Sequence, residues 1–167
     1  MKYFNNPKTL EELKKQYREL AMKHHPDKGG SNEAMKAINA EYDELFPKLK
    51  DTHRTKDGET YTARQASTET ADQFKDLISQ LMRMDDIVIE IIGCFVWVTG
   101  DTKPHKEQLK ALGFKWHSKK SAWFLAPEDY RKRSRKDYSL EHIRSMYGTS
   151  GQVSSRGVRK LDEAESA

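Results

Sequence analysis

The feature that most constrains the fold is a proline–glycine break between two apolar stripes of helical spacing. The first stripe consists of Leu10, Leu13, Tyr17, Leu20, Ala21 and His24. The second stripe consists of Met35, Ile38, Tyr42, Leu45, Phe46 and Leu49. Between the stripes Pro26 removes an amide hydrogen and stops the first helix, and Gly29 and Gly30 lie in the connecting loop. Two matching helices with a short connection predict an antiparallel hairpin.

Residues that cap helices precede both stripes. Thr9-Leu10-Glu11-Glu12 has the form of a capping box, in which Glu12 reaches back to the Thr9 amide. Ser31 stands before the second stripe, and Glu33 adds an acidic residue to the first turn. These signals place the hairpin within residues 1–50. Residues 51–71 are polar and lack a periodic apolar pattern, so we interpret them as a linker.

Residues 72–148 have the pattern of a second module. A short amphipathic helix is predicted by Phe74, Leu77, Ile78, Leu81 and Met82. Runs of β-branched and aromatic residues at 87–92 and 95–99 flank Gly93-Cys94, which predicts a hairpin. Its register sets Ile91 opposite Val96 and Glu90 opposite Trp97. One face then holds Ile89, Ile91, Val96 and Val98, while Trp97 lies on the other face.

The rest of this module completes a β-β-α-β-β order. Pro104 opens a helix that Gly113 ends, and runs at 114–117 and 122–125 predict a second hairpin with Trp116 opposite Trp123. A short helix capped by Ser139 is expected to end at Gly148, and residues 149–167 are expected to form a disordered tail. The predicted fold class is α+β: a helical hairpin, a linker, a short helix and a β-β-α-β-β module with a basic carboxy-terminal helix.

Composition limits the class of protein. Apolar residues make up 35% and charged residues 34% of the 167, which predicts one or two small cores. The single cysteine, Cys94, excludes an internal disulfide framework and a zinc site built on paired cysteines. The longest apolar run, at 87–98, is too short for a membrane span, and residues 1–15 lack the apolar core of a signal peptide. We expect a cytoplasmic protein with no membrane segment, metal or cofactor.

A family resemblance rests on the end of the first helix and the loop. Residues 17–28, Tyr-Arg-Glu-Leu-Ala-Met-Lys-His-His-Pro-Asp-Lys, resemble the second helix and signature loop of J domains, the DnaJ-type co-chaperone modules. Residues 37–42, Ala-Ile-Asn-Ala-Glu-Tyr, resemble their third helix. The short loop at 27–31, Asp-Lys-Gly-Gly-Ser, is similar to that of J domains in polyomavirus T antigens.

This resemblance implies a DnaK-type chaperone as partner and stimulation of its ATPase. The residues implied in chaperone binding are His25, Pro26, Asp27, Tyr17, Lys14, Arg18 and Lys23. Lys14 and Arg18 are four residues apart on one helical face, where they could steer a negatively charged partner. The chain departs from the family pattern in two places: Glu19 stands where many members have a basic residue, and the first helix is reduced to a fragment around Tyr3-Phe4.

The second module has two open interpretations. It could bind nucleic acid or a client through aromatic and basic residues, namely Trp97, Lys115, Lys119, Lys120, Arg131, Lys132, Arg133, Arg135 and Lys136. Alternatively, the aromatic residues fill a small core and the charges are solvated. The cysteine-rich zinc repeats and the Gly/Phe-rich linker of general DnaJ proteins are absent, so client specificity is expected to come from this module.

An enzymatic role has little support. No serine or cysteine nucleophile accompanies His25 and Asp27 in the local sequence, and the adjacent His24 and His25 diverge on a helix, which disfavours a shared metal. We predict a non-enzymatic adaptor that recruits a DnaK-type chaperone to a protein client of unknown identity. The alternative is a nucleic-acid-binding protein, related to phage or mobile-element replication, that uses the basic carboxy-terminal half.

Overall fold

The amino-terminal half forms the predicted helical hairpin. The computed structural model describes residues 2–55, 57–64, 67–127, 130–132, 135–147 and 153–154. Helix α1 spans Leu10–His24 and helix α2 spans Asn32–Leu49. Their apolar stripes face each other, with the rings of Tyr17 and Tyr42 4.6 Å apart. The predicted hairpin is therefore confirmed.

Both predicted caps are present. The Thr9 hydroxyl accepts a hydrogen bond from the Glu12 amide, and the Ser31 hydroxyl accepts one from the Ala34 amide. The carboxylate of Glu12 accepts instead from the amide of Lys8, at 2.8 Å. The predicted cap by the Thr9 hydroxyl is thus present. The reciprocal bond predicted from Glu12 to the Thr9 amide is replaced by a bond to the amide of Lys8.

The carboxylate of Glu41 on α2 binds the backbone of the amino-terminal segment. Glu41 accepts hydrogen bonds from the backbone amides of Lys2, Tyr3 and Phe4, and Phe4 is buried with its ring 6.3 Å from that of Tyr42. Burial works in the opposite direction, but these three amide donors hold the pKa of the Glu41 carboxyl below its ordinary value. The fragment around Tyr3-Phe4 therefore covers the hairpin without forming a helix.

We expect Glu41→Gln to lower the free energy of unfolding by about 1 kcal/mol at pH 7, because the charged acceptor is lost. Since the folded state lowers the pKa of Glu41, its contribution is present at neutral pH and disappears as the pH falls through the folded value. Urea unfolding of both proteins should show the gap closing below pH 4.5, the ordinary value. Glu44→Gln, on an exposed part of α2, is the control. A gap independent of pH would contradict this account.

The stretch interpreted as a linker contains regular structure. Strands β1 (Thr52–Arg54) and β2 (Thr60–Thr62) pair antiparallel, and Nδ1 of His53 lies 2.7 Å from a carboxylate oxygen of Glu11 on α1. The strands are short, and β2 is exposed along its whole length. Neither therefore has the apolar alternation by which a strand is recognised in sequence.

Helix α3, Ala71–Met82, begins with a complete capping box between Thr70 and Gln73. Its Phe74 ring lies 5.9 Å from the rings of both Tyr17 and Tyr42, so α3 packs against both helices of the hairpin. The ammonium group of Lys75 is also 2.6 Å from a carboxylate oxygen of Asp43 on α2. The predicted amphipathic helix is confirmed, and it forms a three-helix unit with the hairpin.

The second module is built on an antiparallel sheet with the predicted registers. Its strands are β3 (Ile87–Ile92), β4 (Phe95–Gly100), β5 (Lys115–His117), β6 (Ala122–Leu125) and β7 (Val153–Ser154), in the order β5-β6-β4-β3-β7. Glu90 pairs with Trp97 and Trp116 with Trp123, both as predicted. Helix α4 (Lys106–Ala111) connects β4 to β5, and Pro104 lies in a 3-10 turn just before it. The β-β-α-β-β order is confirmed.

Each face of the sheet is covered. Ile89, Val98 and Trp123 join the side chains of the three-helix unit in one continuous core. On the opposite face Trp97 packs in a smaller cluster under helix α5, Leu140–Tyr147. Arg144 of α5 donates two hydrogen bonds of 2.7 Å to the buried carboxylate of Glu90. The division into a hairpin at 1–50 and a module at 72–148 stays a prediction, and the two parts share this core.

Two predictions about the carboxy terminus need correction. Val153–Ser154 is a strand paired with Val88 and Ile89, so disorder over 149–167 is wrong at these two residues. Residues 148–152 and 155–167 lie outside the described part of the chain. The predicted basic helix is also wrong, because the basic run at 131–136 precedes α5 and is not part of it. The described residues of that run, 131–132 and 135–136, are not helical, and α5 begins at Leu140. Within the described ranges, no helix is long and apolar enough to cross a membrane.

Candidate functional site

The loop between α1 and α2 is a tight turn fixed by backbone hydrogen bonds. Residues Pro26–Lys28 form a 3-10 turn, and the carbonyl oxygen of His25 accepts from the amides of Lys28 and Gly30, at 2.9 and 3.0 Å. Gly29 has φ +82°, a conformation that favours glycine. A Cβ at Gly30 would collide with the backbone of His24. Both glycines are therefore needed for a loop this short.

The turn carries the three predicted motif residues. Nδ1 of His25 accepts from the Asp27 amide at 3.2 Å, so the ring has a defined orientation. Pro26 and Asp27 are exposed and His25 is half-buried. His24, by contrast, packs edge-on against Tyr3 at 5.7 Å, which agrees with its expected structural role. The loop therefore holds an oriented imidazole next to an exposed carboxylate.

An arginine of the second module lies next to this loop. Arg83, directly after α3, has its Nε atom 4.0 Å from a carboxylate oxygen of Asp27, and its side chain is 73% exposed. Sequence analysis missed this residue because no motif includes it. The only hint was its place at the end of an amphipathic helix, and it comes near Asp27 because α3 packs along the hairpin.

Lys14 does not lie on an exposed face of α1, contrary to the prediction. Only 8% of the residue is exposed, and its ammonium group donates to both carboxylate oxygens of Glu69, at 2.6 and 2.8 Å. The same group lies 4.9 Å from the centre of the Phe74 ring. Lys14 is thus covered by the start of α3 and by the segment that precedes it.

Arg18 and Tyr17 are also covered. Arg18 is 0% exposed and donates from its guanidinium to the carbonyl oxygen of Ile89 in β3, at 2.8 Å. Burial lowers the pKa of the Arg18 guanidinium, and nearby carboxylates act in the opposite direction. Tyr17 is buried and its hydroxyl donates to Asn39 on α2. The predicted docking face of α1 is therefore an internal surface, and of its basic residues only Lys23 is exposed.

The basic and aromatic residues of the second module divide into two groups. Trp97 is buried, so it cannot stack with a nucleic-acid base in this arrangement. Lys120 donates to Asp137 at 2.6 Å with its side chain nearly buried, and the ammonium group of Lys119 lies 3.6 Å from the same carboxylate. The hydrogen bond from Lys120 is the main reason why the pKa of Asp137 is lowered. Trp97 and Lys120 therefore serve the structure of the module, whereas Lys119 is exposed at its surface.

The other predicted contact residues lie at the surface. Lys115, Arg131, Lys132, Arg135 and Lys136 are exposed, and Arg133 lies outside the described residues. Next to this basic run, the half-exposed Tyr130 packs edge-on against Phe95 at 4.6 Å. Tyr138, also half-exposed, stacks on His142 at 4.8 Å. Fixed aromatic rings thus border the basic run on both sides.

In a comparison with protein families, the DnaJ domain model matches residues 4–54. The matched range contains α1, the loop with its exposed motif, α2 and β1. Neither the curated proteins nor the solved structures provide a match. The described residues contain no group of histidine, cysteine or carboxylate side chains that could hold a metal ion.

Proposed function

Because residues 4–54 are a DnaJ domain, which supports a co-chaperone role in general, we propose that this protein binds a DnaK-type chaperone and stimulates its ATPase. The observation that carries the proposal is the loop of residues 25–30. Its backbone hydrogen bonds fix the turn, Pro26 and Asp27 are exposed, and the imidazole of His25, with 13% of its side chain exposed, is oriented beside them.

The chemistry of the loop fits binding better than catalysis. A fixed turn loses little conformational entropy when a partner binds, which favours a specific contact made by few residues. The imidazole and the carboxylate have no nucleophile between them, and Nδ1 of His25 is engaged with the backbone. The protein therefore acts on the chaperone as a ligand of the chaperone and is not itself an enzyme.

Delivery to one protein client is the second part of the proposal. The module of residues 72–148 shares a core with the DnaJ domain, so a client held by this module stays at a fixed position relative to the loop. Such an adaptor needs no flexible Gly/Phe-rich linker, which the chain lacks. Client choice would then depend on the exposed surface of this module, including α5.

The direct test is the steady-state ATPase rate of purified DnaK with and without the full-length protein. We expect the rate to rise with the concentration of the protein and to reach a plateau. An unchanged rate, together with no detectable binding of DnaK in the ATP state, would contradict the proposed function.

Nucleic-acid binding is a second candidate function, favoured by the tyrosines that border the basic run. Tyr130 and Tyr138 offer half-exposed rings, and the exposed cations between them can contact phosphates. Bases of a single strand can stack on such rings, whereas a duplex keeps its bases stacked internally. The partner of this surface would therefore be single-stranded nucleic acid.

We expect binding of a single-stranded oligonucleotide to weaken steeply with salt, because each contacted phosphate releases counterions. Replacing Arg131, Lys132 and Arg135 with alanine should flatten the slope of log K against log salt by about 2, at roughly 0.7 per phosphate contact. The matched control replaces three exposed lysines around α4, namely Lys103, Lys106 and Lys110. Fluorescence anisotropy at several salt concentrations measures both. Equal slopes for the two triple variants would show that only net charge matters.

A further inference from the structure

We infer that Arg83 belongs to the chaperone-docking surface and contacts an acidic group of the partner beside the loop of residues 25–28. The inference rests on the proposed function, and it adds a residue from outside the DnaJ domain to the site. Three observations lead to it: the basic residues of α1 that would steer a partner are enclosed, Arg83 is highly exposed, and it lies beside Asp27.

The face of α1 that carries Lys14 and Arg18 does not open easily. Tyr17 packs against Phe74 of α3, and Arg18 is held by the carbonyl of Ile89 in β3. Exposing these two cations would separate the sheet and α3 from the hairpin and would return the large shared core to water. A partner therefore meets the DnaJ domain with the second module still in place, as in most complexes of preformed surfaces.

With this face closed, the described cations in the loop, at the end of α1 and directly after α3 are candidates for contact with a partner. Lys23 is exposed near the end of α1, Lys28 is half-buried in the turn, and Arg83 has a side chain that is 73% exposed. Arg83 is distinguished by its position, because its Nε atom lies 4.0 Å from the Asp27 carboxylate. Asp85 and Asp86 follow in the turn to β3, so the inference depends on this local geometry and not on an excess of positive charge.

The juxtaposition of Arg83 and Asp27 specifies the chemistry of the partner. A guanidinium next to a carboxylate presents opposite charges side by side, and a complementary surface presents a carboxylate next to a cation. The planar guanidinium can donate two parallel hydrogen bonds to one carboxylate. We therefore expect a glutamate or aspartate of the chaperone to meet Arg83, while Asp27 meets a neighbouring basic group.

The test measures association of the full-length protein with purified DnaK in the presence of ATP, at low and at physiological salt. Arg83→Glu should lower the association rate constant about three- to tenfold at low salt, with a smaller loss at higher salt. Arg83→Lys keeps the positive charge but loses the two parallel donors of the guanidinium. It should therefore associate as fast as the original protein and dissociate faster. Far-UV circular dichroism confirms that both variants fold.

Two further variants make the result decisive. Lys110→Glu reverses the charge of an exposed lysine on α4. If this variant loses as much of its association rate as Arg83→Glu, the effect of Arg83→Glu comes from net charge alone and the inference is overturned. Lys14→Met keeps the packing stem, and a larger loss there than in Arg83→Glu would mean that the covered face opens, which also overturns it. If the original protein binds DnaK, His25→Gln abolishes binding and Arg83→Glu has no effect, the inference fails while the proposed function stands. No binding by the original protein would overturn both.

Discussion

We expect His25→Gln to abolish stimulation of the DnaK ATPase, while the free energy of unfolding changes by less than about 1 kcal/mol. The side chain of His25 is 13% exposed at the end of α1 and lies outside the core. Its one described hydrogen bond within the loop is to the Asp27 amide, at 3.2 Å. The backbone bonds to the His25 carbonyl, which define the turn, are kept in the variant. Function is therefore separated from stability at this position.

His142→Gln is the matched control for this experiment, because His142 is an exposed histidine on α5 that stacks on Tyr138. We expect the control to stimulate the ATPase fully. Stimulation by His25→Gln equal to that of the original protein would contradict the role of the loop. A large fall in the stability of His25→Gln would instead show that the imidazole has a structural role.

Local patterns explain why so much of the fold could be predicted. The hairpin follows from apolar spacing and from a proline that stops α1, and both are visible within about 40 residues of sequence. The pairing of Glu90 with Trp97 follows from a two-residue turn at Gly93-Cys94, since a turn of fixed length fixes the register. Alternation along β3 and β4 then assigns their faces correctly.

The burial of Lys14 and Arg18 could not be predicted in the same way. Lysine and arginine on a helix are usually exposed, so their spacing suggested a docking face. Their partners are far away in sequence: Glu69 is 55 residues from Lys14, and Ile89 is 71 residues from Arg18. The packing on α1 of the sheet, of α3 and of the segment before α3 brings these groups together. A motif that resembles a family's indicates which residues bind in that family, and the neighbouring module decides which of them are accessible here.

The same packing separates two tryptophans that sequence analysis treated alike. Trp116 and Trp123 form the predicted cross-strand pair, with ring centres 5.5 Å apart. Trp123 on β6 is 5% exposed and belongs to the shared core, whereas Trp116 on the edge strand β5 is 48% exposed. The predicted register treats the two rings alike, but only Trp123 is buried, so only the loss of Trp123 is expected to unfold the module.

Trp123→Ala should lower the free energy of unfolding by about 3 to 5 kcal/mol, the usual loss for a buried aromatic truncated to alanine. Trp116→Ala, the matched control on the paired strand, should cost about 1 kcal/mol or less, because half of its ring is already in water. Since Trp123 shares a core with Tyr17 and Phe74, the loss should also destabilise the helices, and urea unfolding followed by far-UV circular dichroism should remain a single transition.

A Trp123→Ala protein that keeps the stability of the helices and loses only the sheet would show two independent cores. That result would also expose Arg18, which is bonded to β3, so ATPase stimulation by this variant would report how much Arg18 contributes to docking.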